Sequence, residues 1–412
     1  MTSRTADAHP ILLDLTQDVA LLTAALIDIP SVSGGETALA DAVAHALRVQ
    51  TSLEVVRDGD SVVARSSLGR DERVILAGHL DTVPLPTTPG ARGTVPSSWD
   101  SADGLGTPGE GVLWGRGATD MKGGVAVQLA LAARLFPAGD TAAREAAHDA
   151  GHSPSSATAA PAGPAAAPSR GGPARDVTFV FYDHEEVEAA KSGLGRLARN
   201  HPELLTGDFA ILLEPTDGTV EGGCNGTLRV EATTVGEAAH SARAWMGSNA
   251  IHAAAPILAR LAAYEPATVT VDGLDYRESL NAVGILGGTA GNVIPDRCTV
   301  TVNYRFAPDK TIDEAEAHVR ELLAGFAVVR TDGAPGARPG LTHPAAAAFV
   351  AAVGQEPKPK YGWTDVARFS ALGVPAVNFG PGDALLAHKD DERVSAAAVR
   401  ACLAALEAWL AA

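Results

Sequence analysis

The chain has 412 residues, a formal net charge of −17 at pH 7, 46% hydrophobic residues and 20% charged residues. That acidity excludes the electrostatic footprint of a nucleic-acid or anionic-lipid partner, and no apolar run approaches the roughly 20 residues that span a bilayer. Cys224, Cys298 and Cys402 are scattered and odd in number, which excludes a disulfide framework or zinc finger and predicts a reducing, cytoplasmic setting.

Residues 12–26 and 36–47 have the spacing of amphipathic helices, the second opened by Ser33-Gly34-Gly35-Glu36. A short apolar run at 74–77 predicts a buried strand that leads into His79. Residues 84–109 are polar and predict a loop, after which 111–114 resumes a strand pattern. A Gly-rich turn at 115–124 opens the helix predicted over 122–135. From 138 to 176 there is no Val, Ile, Leu, Met or aromatic residue. Such a segment cannot offset its ordering entropy and predicts a disordered surface loop.

Apolar runs at 177–182, 210–213 and 375–379 predict further buried strands of a mostly parallel sheet. A final helix over 395–410 would help cover it. The middle third reads differently. Residues 228–234 alternate as a half-buried strand, 249–264 follow as a helix, 280–287 and 298–306 as strands, 312–323 as a helix, and 326–330 as a strand. That β-α-β-β-α-β order predicts a ferredoxin-like unit. The expected class is therefore α/β, with a catalytic domain over 1–225 and 336–412 and an inserted α+β domain over 226–335.

Each buried run ends in an acid or histidine: His79 and Asp81, Glu185-Glu186, and Glu214. The run at 375–379 leads through Gly380-Pro381-Gly382 to His388. In open α/β sheets, the carboxyl ends of strands line the ligand crevice. Two histidines and several carboxylates with no cysteine suit zinc or a similar divalent ion, cobalt and manganese included. In His79-Leu80-Asp81 the acid sits where it could hold the imidazole's second nitrogen. Gly115 to Gly124 places Asp120 beside a helix start, and neither the phosphate-loop nor the dinucleotide glycine pattern is met. Neighbouring side chains of an extended Glu185-Glu186 point opposite ways, so one can ligate metal while the other accepts a water's proton. His184 before them reads as structural.

Taken together, Gly78-His79-Leu80-Asp81-Thr82-Val83-Pro84, Gly115-Arg116-Gly117 with Asp120-Met121-Lys122-Gly123-Gly124, Glu185-Glu186, Glu214-Pro215-Thr216 and His388-Lys389-Asp390-Asp391-Glu392 resemble the motifs of the di-zinc aminoacylase and carboxypeptidase G superfamily. The resemblance implies two divalent ions bridged by Asp120. His79 and Glu214 would complete one shell, and Glu186 and His388 the other. It further implies Asp81 as the residue orienting His79, Glu185 as general base, and His240 as an oxyanion donor reaching the partner subunit's site. The inserted domain would be a lid and dimerisation unit of a homodimer.

Within the superfamily the chain resembles the actinobacterial branch of succinyl-diaminopimelate desuccinylases. Gly223-Cys224-Asn225-Gly226-Thr227-Leu228, Ala239-His240-Ser241-Ala242-Arg243, Gly291-Asn292-Val293, Asn303-Tyr304-Arg305-Phe306 and Tyr361-Gly362-Trp363-Thr364-Asp365 carry that likeness. It implies a small-molecule substrate contacted by Asn292, Arg305, Arg243 and Thr364. Better-known desuccinylases have an Arg-Arg pair where this chain has Cys224-Asn225. Arg305 and Arg243 are the expected replacements, ahead of Arg229, which sits in a strand of the inserted unit. An aminoacylase, acetylornithine deacetylase or dipeptidase shares the chemistry. A non-catalytic metal-bound carrier is the alternative of another class.

Overall fold

The computed structural model describes residues 11–101, 104–139 and 172–412. Most of the expected 138–176 loop lies outside them. Its last residue does not belong to a loop, because Asp176 opens a strand and is buried. Its carboxylate accepts hydrogen bonds from Ser66 Oγ, Leu68 N and Arg70 N.

The chain divides into two compact units, residues 1–218 with 379–412, and 219–378. The first is α/β. Helices α1 (Val19–Ile27) and α2 (Thr37–Gln50) precede strands β1 (Glu54–Asp58), β2 (Ser61–Arg65) and β3 (Arg73–His79). Helix α3 (Gly123–Leu135) and strands β4 (Asp176–Tyr182) and β5 (Phe209–Leu212) follow. Within this unit the strand order is β1-β2-β4-β3-β5. Its centre, β4-β3-β5, is parallel as expected, while β1 and β2 pair antiparallel at one edge. Those two strands carry Glu, Arg and Asp beside their valines, so no continuous apolar run marks them. Strands β4 and β5 are buried along their whole length. Phe179, Phe181 and Phe209 fill that core, and burying each such side chain contributes about 1.5–3 kcal/mol.

Helix α1 starts seven residues later than its apolar spacing suggests. Asp18 caps it, accepting from Ala20 N. The preceding segment is fixed instead by Gln50, whose side chain bonds Leu15 N and the Leu13 carbonyl.

The second unit contains the four-stranded antiparallel sheet β7-β8-β6-β9, built from β6 (Gly226–Val235), β7 (Ser279–Gly287), β8 (Arg297–Phe306) and β9 (Ala327–Ala334). With the helices at Ala255–Ala262 and Ile312–Leu322 it has the expected ferredoxin-like arrangement. Leu228, Val230, Val302, Tyr304 and Phe306 face those helices and share a core with Ile257 and Val319. The helix expected over 249–264 is divided into Ala250–Ala253 and Ala255–Ala262; Pro256 lacks the N–H that would carry the ladder through. A hairpin at Thr268–Val271 and Leu274–Arg277 is an addition. Its turn, Asp272-Gly273, has positive φ at both residues, the conformation a two-residue hairpin loop requires.

Candidate metal centre

Strand β3 ends at His79, β4 runs out three residues before Glu185, and β5 ends two before Glu214, so the parallel centre of the sheet delivers all three to one end. Glycine is what allows the close approach behind them. A Cβ at Gly124, in α3, would lie 2.3 Å from the Leu213 carbonyl oxygen, and one at Gly380 would lie 2.5 Å from that of Glu214. Inside a helix Ala ordinarily gains about 1 kcal/mol over Gly. Here overpacking reverses the sign, so Gly124→Ala should lose about 1–3 kcal/mol in urea denaturation. An unchanged or raised midpoint would show that the strand end yields.

His79, Asp120 and Glu214 offer ligand atoms that all lie within 4.8 Å of one another, as do Asp120, Glu186 and His388. Asp120 belongs to both groups through different oxygens: Oδ1 is 3.0 Å from His79 Nε2, and Oδ2 is 3.3 Å from His388 Nε2. Glu186 Oε1 is 3.0 Å from His388 Nε2. Glu185 forms a third such group with His79 and Glu186, so it stands at the same centre without belonging to either Asp120 set.

The charges fit cations. Burial opposes protonation of His79, yet the Asp120 hydrogen bond and the charges of Asp120, Glu185 and Asp81 hold its pKa well above the usual value. Hydrogen bonds to Asp120 and Glu186 raise that of His388 to about 10. Burial would raise Asp120, but hydrogen bonds from His388 and His79 keep it below the usual carboxylate range. Burial pushes Glu186 up. Two imidazoles drawn toward the cationic form by surrounding acids mark a place that favours added positive charge, and His and carboxylate oxygen are the donors zinc, cobalt or manganese accept.

Asp81 is fully buried and works differently from the expectation. His79 Nδ1 lies 2.9 Å from the Asp81 main-chain carbonyl and 3.6 Å from its carboxylate, so the main chain takes the imidazole's bond. The carboxylate accepts instead from Glu185 N at 2.9 Å, Glu186 N at 3.0 Å and Ser33 Oγ at 2.7 Å. Glu36, also fully buried, accepts from His184 N at 3.2 Å. Three successive amides are thus held by two carboxylates, and His184 adopts φ +57° between them. The His184 ring is tied to Asp183 at 2.8 Å, a structural place as expected.

Sequence reasoning gave Arg116 and Glu392 no role of their own. Both are buried, and they form an ion pair at 2.7 Å. Glu392 Oε1 accepts from Thr119 N and Asp120 N, each at 3.1 Å. Arg116 also donates to the Lys389 carbonyl at 3.2 Å. The stretch bearing His388 is thereby joined to the turn bearing Asp120. Glu392 sits in a run of six charged or titratable residues, 388–393, and hydropathy gives no sign that one of them is buried.

In the second unit His240 is exposed and pairs in register with Val293, next to Asn292, whose carbonyl accepts from Ser241 N. Arg243 is exposed in the adjoining 3-10 segment Ser241–Met246, so His240, Asn292 and Arg243 share one region. Arg305 lies apart from them, half-buried on β8. Thr364 is buried, and its hydroxyl donates to Asn378 Oδ1 at 3.0 Å.

A family model described as peptidase family M20/M25/M40 matches residues 75–145, and one described as a peptidase dimerisation domain matches 223–329. A Mycobacterium tuberculosis protein provisionally named succinyl-diaminopimelate desuccinylase DapE is 47% identical, over 97% of this chain and 99% of that one. The succinyl-diaminopimelate desuccinylase of Corynebacterium glutamicum is 40% identical over 97% of both. Among solved structures, Bacillus subtilis YXEP protein, a dinuclear metal-binding peptidase from the M20 family, has the same fold. Its TM-score is 0.63 at 15% identity, with 96% of this chain and 98% of that chain covered.

Proposed function

Because the chain belongs to the M20 peptidase family, we propose that it hydrolyses the amide of N-succinyl-LL-2,6-diaminopimelate to succinate and LL-2,6-diaminopimelate, a step of diaminopimelate and lysine biosynthesis. The observation that carries this reading is the near-full-length identity with proteins of that name, joined to a centre in which one aspartate faces two sets of ligands.

His79, Asp120 and Glu214 would hold one divalent ion, and Asp120, Glu186 and His388 a second; zinc is the reading we favour for both. When bound, such ions activate water and polarise an acyl carbonyl. Glu185 takes the proton of the attacking water and returns it to the departing amine nitrogen. Asp81 and Glu36 hold the main chain on which Glu185 rides. His240 Nδ1 accepts from Ala242 N, which leaves the neutral ring's proton on Nε2, free to donate to the developing oxyanion of the partner subunit's site. Asn292, Arg243, Arg305 and Thr364 belong to the substrate side, Thr364 through its bond to Asn378.

The active form is a cytoplasmic homodimer acting on a small molecule, with residues 226–335 as the lid and dimerisation domain. Strand β7, at the edge of its sheet, supports this by exposing Val283, Ile285 and Leu286, a row ready to pair with another chain. No helix among the described residues is long and apolar enough to cross a membrane.

The test is a panel of N-succinyl-LL-diaminopimelate, N-acetylornithine, N-acetyl amino acids and dipeptides, offered to zinc-loaded protein and followed by release of free amine. The succinyl substrate should give the highest kcat/KM, and a chelator should abolish turnover. Preference for N-acetylornithine or a dipeptide would replace the substrate, and no turnover of any of them would favour a carrier.

A further inference from the structure

Strand alternation puts Arg229 and Arg305 on one face. In the antiparallel pairing of β6 with β8, Arg305 lies opposite Thr227 and Asn303 opposite Arg229. Their neighbours Leu228, Val230, Tyr304 and Phe306 all point into the helix-covered core. The two arginines are therefore diagonal neighbours on the open face, with Cβ atoms on the order of 7–8 Å apart or less. Strand β7 adds Ser279 opposite Arg305 and Asn281 opposite Asn303. This corner of the sheet presents two cations and several neutral donors.

Among the described residues neither guanidinium has a hydrogen bond or ion pair. Asp332, opposite Arg229 on β9, makes no ion pair with it. Elsewhere in the chain Arg116, Arg196, Arg338 and Arg400 are all tied to carboxylates. Arg305 is half-buried, and its burial and then the Arg229 charge disfavour its cationic form, while the Asp332 charge favours it in smaller measure. Arg305 has lost part of its hydration and Arg229 is exposed, and the two like charges side by side leave one positive charge beyond what Asp332 can balance, which an added anion would complete. A carboxylate does so with the two-oxygen geometry a guanidinium matches.

We propose that Arg229 and Arg305 form a carboxylate subsite, in which Arg229 is the specificity residue that favours a dicarboxylic acyl group over a monocarboxylic one. This rests on the substrate reading above for its occupant, the distal carboxylate of the succinyl group. It reverses the ranking from sequence, where lying in a strand counted against Arg229. The strand is what brings it beside Arg305, and it supplies a positive charge in a chain that has Cys224-Asn225 in place of an arginine pair.

The experiment is calorimetric titration of the metal-loaded full chain with succinate, acetate and LL-diaminopimelate, with thermal melting to verify the fold of each variant. Wild type should bind succinate more tightly than acetate. Arg229→Ala should weaken succinate about tenfold and leave acetate and LL-diaminopimelate unchanged, while Arg229→Lys should restore most of the loss. Unchanged succinate binding in Arg229→Ala, an equal loss for acetate, a loss confined to LL-diaminopimelate, or a wild type without preference for succinate each overturns the subsite. A chain that prefers succinate through Arg229 but fails to hydrolyse the succinyl substrate supports the subsite and refutes the substrate reading.

Discussion

Glu185→Gln should keep its metal and its fold while kcat falls by about 10²–10⁴ or more, the range for a lost general base. Glutamine preserves the shape and the main-chain bonds that Asp81 and Glu36 make to residues 184–186, so the change is confined to proton acceptance. Glu185 also lies within ligand distance of His79 and Glu186, which makes metal content the deciding control. A variant that loses an ion identifies Glu185 as a ligand. Near-normal turnover in the metal-loaded variant removes it from the reaction altogether.

Asp120→Ala should lose both ions and all measurable turnover. Its two oxygens face different histidines, at 3.0 Å and 3.3 Å, so one truncation strips a ligand from both sets. Glu214→Ala and His388→Ala should each weaken one ion and spare the other, which separates a bridge from general damage. Elemental analysis after dialysis reads all three. Two retained ions in Asp120→Ala would show that the aspartate is not shared.

The parts of this fold visible in sequence are those that local pattern dictates. Residues 177–182 read as a buried strand because nearly every side chain is apolar, and the alternation at 228–234 marks a strand with one wet face. The edge strands at 54–58 and 61–65 were not visible, because their charged residues interrupt the pattern and their pairing is tertiary. The Asp272-Gly273 hairpin did carry a turn signal. At the metal centre, acids at strand ends stand out by chemistry and position. The groups behind them do not: Glu36, Arg116 and Glu392 are charged residues in polar stretches, and only the packing of distant segments takes them out of water. Arg229 illustrates the same limit, since its neighbour Arg305 is 76 residues away in sequence.

The carboxylates that hold other carboxylates in place have a thermodynamic consequence. Glu36 and Asp81 place two more carboxyls behind Glu185 and Glu186, which already share the centre with Asp120 and Glu214, and burial pushes Glu36 and Glu186 up. In the ion-free chain His79 and His388, drawn toward the cationic form, offset only part of the charge these carboxyls concentrate there. Ions that bind only the native arrangement contribute RT ln(1 + [M]/Kd) each, about 4.1 kcal/mol at a thousandfold excess over Kd. That is a large share of the roughly 5–15 kcal/mol by which a typical protein stays folded. Free divalent ion would thus govern how long the chain survives unfolding and proteolysis as well as how fast it turns over, and scarcity would deplete the protein itself.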